Sequence, residues 1–85
     1  MMTRNEIIEK INETMINEFE IPADKIKPEA KIVDDLGLDS LDAVDMLVFL
    51  EDAVNTRLET EKFKQARTLN DIYDLVFEVL NTPKN

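Results

Sequence analysis

Residues 34–54, DDLGLDSLDAVDMLVFLEDAV, decide how this chain folds. Gly37 is the natural position for a left-handed turn, and the residues after it settle into a helical period. From about Ser40 to about Val54, at roughly 100° per residue, Ala43, Met46, Leu47, Leu50, Ala53 and Val54 fall on one face, the side that faces a core. Leu41, Val44 and Val48 fall on another side, flanked by Asp45, Glu51 and Asp52. The first stripe can pack without this second apolar strip, and Phe49 lies on neither. Between Lys31 and Arg57 there is no basic residue, while Asp34, Asp35, Asp39, Asp42, Asp45, Glu51 and Asp52 all lie in that interval.

Ser40 stands at the start of this helix. Serine is a favoured N-cap, and by position alone Ser40 reads as one. The mouth of a helix is also partly positive and offers backbone N–H groups, so it would hold a phosphate well. Catalysis by Ser40 is disfavoured, because a serine nucleophile needs an adjacent base. The chain has no His, and nothing holds Lys31, the nearest lysine in sequence, beside it. A covalent group on Ser40 would have to be installed by another enzyme. A calcium loop fits poorly: with Gly37 at the sixth position of an EF-hand, Ile32, Leu36 and Ala43 occupy positions that require acidic ligands. No metal site is expected, although closely spaced carboxylates would bind divalent ions loosely at the surface.

Outward from this stretch, Thr3-Arg4-Asn5-Glu6 has the form of a capping box. Ile7, Ile8, Ile11, Met15 and Phe19 then recur at helical spacing, predicting a first helix from about Arg4 to about Phe19, ended by Pro22. Glu20 to Leu38 is a long connection. Ile21, Ile26, Ile32, Val33, Leu36 and Leu38 are expected to pin it onto the helices as an ordered crossing. After the second helix, Leu58 and Phe63 anchor a polar segment with a short helix near Glu61 to Ala66. Thr68 through Asp71 reads as another N-cap with an acidic first turn. Ile72, Leu75, Val76, Val79 and Leu80 continue as an amphipathic helix, with Pro83 just past its end. The expected fold is all-α: a small bundle of three main helices plus a short third helix, with a long ordered loop between the first two.

At 85 residues, 44% of them hydrophobic, the chain has room for one packed domain over 1–85. It has no Cys, hence no disulfide framework and no thiol of its own. A single Gly excludes a glycine-rich phosphate cradle. A net charge of −9 disfavours nucleic acid and anionic membranes and favours basic protein partners. The N-terminus lacks a basic segment followed by an apolar run, and no segment is long enough to span a bilayer, so a cytoplasmic, monomeric protein without membrane insertion is expected.

The string Leu36-Gly37-Leu38-Asp39-Ser40-Leu41-Asp42-Ala43-Val44-Asp45 resembles the acyl carrier proteins, whose hallmark is an Asp-Ser-Leu turn at the head of the second helix. Length, acidity and helix order agree with that family from Thr3 to Leu80. The resemblance implies that Ser40 carries 4′-phosphopantetheine, transferred from coenzyme A by a phosphopantetheinyl transferase, and that the thiol of this arm holds acyl groups as thioesters. It implies a carrier, not an enzyme, with no catalytic residue of its own. Asp39, Asp42, Asp45, Glu51 and Asp52 would face basic patches on acyl-processing synthases and transferases, with Leu41, Val44 and Val48 as the apolar contact beside them. Met15, Met46, Leu47, Leu50 and Leu75 are candidates to shelter cargo between helices, or equally to form ordinary core. Carriers of fatty-acid synthesis often continue the second helix with Glu-Glu-x-Phe and an Ile-Pro-Asp-like segment. Here Glu51-Asp52-Ala53-Val54 is followed by Asn55-Thr56-Arg57-Leu58-Glu59, and Arg57, Lys62, Lys64 and Arg67 follow where many relatives are acidic. Phe49 is also bulkier than usual. The pathway therefore stays open between fatty-acid synthesis, polyketide or specialised lipid synthesis, and aminoacyl carriage. An unmodified acidic adaptor that docks a basic partner is the alternative outside the family.

Overall fold

The structure, a computed structural model, describes residues 3–81. These fold into four α-helices: α1 (Arg4–Phe19), α2 (Ser40–Val54), α3 (Thr60–Gln65) and α4 (Leu69–Asn81). Helix α1 packs against α2 and α4, and α3 closes the far side of α2 and touches α4. This is the expected all-α bundle. Pro83 lies outside the described residues.

Helix α1 starts as its sequence predicts. The Thr3 hydroxyl accepts the Glu6 N–H at 3.2 Å, and the Glu6 carboxylate accepts the Thr3 N–H at 2.8 Å. These bonds hold the Glu6 carboxyl below its usual range, with the backbone bond to Thr3 as the largest cause. Ile7, Ile11 and Met15 form the fully buried stripe of α1. They meet Met46 and Leu50 of α2 and Ile72 and Val76 of α4 in one continuous core. Each such side chain contributes about 1.5–3 kcal/mol by leaving water. The predicted core face of α2 is correct, with Met46, Leu47, Leu50 and Val54 buried and Ala43 and Ala53 half-buried. Leu69 and Tyr73, which fall outside the expected amphipathic set, are buried too. The Tyr73 hydroxyl donates to Asn12 Oδ1 on α1. That partner allows a phenol to sit in the core, and burial raises its pKa.

The connection from Glu20 to Asp39 is ordered, as expected, by more than apolar anchors. It contains a 3-10 turn at Ala23–Lys25. Ile21, Ile32 and Leu38 are buried, Ile26 and Leu36 are half-buried, and Ala30 is an additional buried anchor. Val33 departs from the expectation: it is 65% exposed. The backbone explains much of the order. Ile32 N–H donates to the Arg67 carbonyl at 2.9 Å within an isolated Lys31–Thr68 bridge. Leu69 and Asn70 N–H donate to the Ala30 and Pro28 carbonyls at 2.9 and 2.8 Å. Thr68 caps α4 as the sequence implies, accepting the Asp71 N–H at 3.2 Å, and the Asp71 carboxylate also reaches back to the Thr68 N–H at 3.1 Å. The first N–H groups of α4 are thus all satisfied, partly by a loop some forty residues earlier in the chain.

Candidate functional site: the mouth of helix α2

Two devices shape the entrance to α2. The chain from Lys31 to Leu38 is a compact turn closed by Asp35 and Leu36 N–H to the Lys31 carbonyl, at 2.9 and 3.0 Å, and by Leu38 N–H to Ile32, at 3.0 Å. The Asp35 carboxylate accepts the Lys31 N–H at 2.8 Å. Gly37 takes φ 69° as anticipated, and a Cβ there would meet nothing within 4 Å. The requirement for glycine is therefore one of backbone conformation, not of space.

The second device is the cap, and here the structure corrects the reading of Ser40 as N-cap. Asp39 is the N-cap and Ser40 is the first helical residue. The Asp39 carboxylate accepts the Asp42 N–H at 2.9 Å, and the Asp42 carboxylate accepts the Asp39 N–H at 3.3 Å. Asp caps as well as Ser, and the Asp39-x-x-Asp42 spacing is that of a capping box with the shorter acid at its third helical position. That spacing is the signal in the sequence.

Leu41 is 77% exposed immediately after the serine, and its N–H has no acceptor among the described residues. Val44 and Val48 are exposed one and two turns further on, so the second apolar strip lies on the surface. Asp45 and Asp52 are exposed along it. Glu51 is half-buried, and its carboxylate accepts the Leu58 N–H at 2.8 Å, bracing the chain after α2. Phe49, which had no place in the periodicity, is partly exposed with its ring edge-on to Phe19 of α1 at 5.6 Å and 89°. Among the described residues, no three acidic side chains converge on a position that would hold a metal ion.

Beside this mouth runs a groove of about 840 Å³ between the 31–39 turn, α2 and the chain from Phe63 to Thr68. Ile32, Leu38, Ala43, Phe63 and Ala66 supply its apolar lining, and Lys31, Lys64 and Arg67 its cations. None of Met15, Met46, Leu47, Leu50 and Leu75 lines it; they are buried core. The groove was not legible in the sequence because three separate segments build it.

Fold and surface together define a small acidic four-helix domain whose exposed large apolar side chains lie mostly along α2 and its entrance, with carboxylates beside them. Known proteins place it further. The profile of the family described as phosphopantetheine attachment site matches residues 9–76. The chain is 37% identical to acyl carrier protein 2 of Ralstonia nicotianae over 93% of its own length and 98% of that protein's. It is 35% identical to an acyl carrier protein of Saccharopolyspora erythraea over 93% and 83% of the two lengths. It is 40% identical to one of Syntrophobacter fumaroxidans over 76% and 80%. The chain belongs to the acyl carrier protein family, and 4′-phosphopantetheine is the prosthetic group of that family's attachment site. The local structure fits such a group: a helix mouth capped by Asp39, with Leu41 exposed and its N–H without an acceptor among the described residues.

Proposed function

We propose that Ser40 is the attachment residue and that the chain carries acyl groups for partner enzymes of fatty-acid or related polyketide and specialised lipid synthesis. The observation that carries this reading is the division of labour at the α2 entrance: Asp39 caps the helix, and Ser40 follows as its first residue inside the matched region. The prosthetic group supplies the thiol that a chain without cysteine lacks. The protein's own part is to present, orient and be recognised. A phosphopantetheinyl transferase loads it, and the protein performs no catalysis itself. We place it in the cytoplasm as a monomer; no helix among the described residues is long and apolar enough to cross a membrane.

Docking uses Leu41, Val44 and Val48 as the apolar strip and Asp39, Asp42, Asp45, Glu51 and Asp52 as its anionic border. Asp39 and Asp42 each commit one carboxylate oxygen to the cap, and Glu51 one to Leu58, leaving the second oxygen for a partner's Lys or Arg. Exposed pairs of this kind contribute about 0–1 kcal/mol each and mainly set encounter rate and orientation. Weak, salt-sensitive docking suits a carrier that must leave each enzyme in turn.

The test is intact mass after incubation with coenzyme A and a phosphopantetheinyl transferase. The expected result is one pantetheinyl adduct on the native chain and none on Ser40→Ala. An adduct that survives the substitution, or no adduct with several transferases, would overturn the assignment.

A further inference from the structure

We propose that the groove beside the α2 mouth selects an acyl group that ends in a carboxylate. Its chain would lie on the apolar lining and its carboxylate would meet Lys31, Lys64 and Arg67. The inference rests on Ser40 as the attachment residue and adds the chemical class of the cargo.

The first argument is charge. The whole chain carries −9, yet this groove carries three cations against two carboxylates, Asp34 and Asp39. One oxygen of Asp39 is already held by the Asp42 N–H. The two carboxylates belong to the turn and cap that lead into α2. Lys64 and Arg67 belong to the other wall, the chain from Phe63 to Thr68, and the Lys31–Thr68 bridge joins Lys31, at the start of the turn, to that chain. Two of the three cations, Lys64 and Arg67, therefore stand on the wall opposite the segment that leads into Ser40.

The second argument is availability. Among the described residues the two ion pairs are Arg4–Asp74 and Lys62–Glu59, neither of them at this groove. Lys31, Lys64 and Arg67 are exposed and form no ion pair there. Asp71, whose carboxyl the Arg67 charge also reaches, is engaged by the backbone N–H groups of Arg67 and Thr68 at 3.0 and 3.1 Å. Three exposed cations that form no salt bridge, above an apolar surface, match an amphiphilic anion. A purely aliphatic acyl group would use the lining and leave the cations without a role.

The test loads the apo chain from glutaryl-, pentanoyl- or unacylated coenzyme A with a phosphopantetheinyl transferase, confirms each product by intact mass, and compares backbone amide shifts. The two acyl groups have the same number of carbons and differ in the terminal carboxylate. Glutaryl loading is expected to move the amides of residues 31–32 and 64–68 well beyond pentanoyl loading. The excess should shrink as salt rises and vanish in Lys64→Glu/Arg67→Glu. Both substitutions alter exposed side chains, and Lys64→Gln/Arg67→Gln provides a milder version should charge reversal disturb the fold. Equal shifts from the two acyl groups would overturn the proposal. So would a full shift from the unacylated arm, which would make this a site for the arm's phosphodiester. An unchanged mass would instead show that attachment itself had failed, and the cargo proposal would fall with it.

Discussion

Asp39 shows how one side chain can serve two ends. It caps α2 through a carboxylate oxygen and, in the function we propose, stands on the anionic border of the docking strip. Asparagine caps as well as aspartate but carries no charge, so the two roles separate by substitution. Asp39→Ala should cost about 1 kcal/mol in denaturant unfolding. Asp39→Asn should stay near wild-type stability while slowing partner association at low salt. If Asp39→Asn proves as unstable as Asp39→Ala, the charge is part of the cap and the separation fails. Gly37 is a second case. Its φ of 69° lies where side chains are strained, while the space around it is open. Gly37→Ala should therefore cost about 1–2 kcal/mol of backbone strain, with no change in the core seen by methyl chemical shifts.

At the scale of the element, α4 draws its start from elsewhere in the chain. Its first N–H groups are taken by Thr68, Ala30 and Pro28, and the Asp71 carboxylate returns two bonds to the backbone. Those backbone bonds, with a smaller contribution from the Arg67 charge, hold the Asp71 carboxyl below the ordinary aspartate range. A lowered folded pKa adds stability that is fully present above the unfolded value, about 4, and is lost as pH falls through the folded one. The stability gap between the native chain and Asp71→Asn should be constant above about pH 5 and narrow on acidification below about pH 4. A gap that stays constant down to the acid transition would show that the carboxylate contributes no linkage. The sequence revealed this cap through Thr68 and Asp71. It did not reveal that Leu69 and Tyr73 would be buried, because the loop and α1 that cover them are distant in sequence.

At the scale of the whole molecule, a charge of −9 sits on a domain with its basic residues excluded from the stretch between Lys31 and Arg57. Self-repulsion along α2 opposes the compact state and is screened over about 10 Å at 0.1 M salt. Raising monovalent salt from low concentration, or adding a divalent cation, should raise the melting temperature. A melting temperature flat across that range would mean that the acids of α2 are already relieved by their hydrogen bonds to backbone N–H groups. The basic partners we propose would benefit from the same field, which would speed their approach to α2 and weaken with salt. The groove beside the α2 entrance carries the opposite local charge, so the docking and cargo recognition we propose would fall on surfaces of opposite sign.

Sequence by itself determined the helices, the core face of α2, the capping box at Thr3, the N-cap at Thr68 and the stretch around Ser40, because these are local properties of spacing and residue type. It also placed Leu41, Val44 and Val48 on a separate strip, since a helix angle alone separates that strip from the core. The Asp39-x-x-Asp42 cap of α2 is equally local, although Ser40 is the more conspicuous candidate. Tertiary structure decided that Val33 is exposed while Ala30 is buried, and that Phe49 finds Phe19. It alone assembled Lys31, Lys64 and Arg67 around one groove. Those outcomes depend on which segments come together, and a loop held by backbone bonds to a helix some forty residues away leaves no periodic trace in the chain.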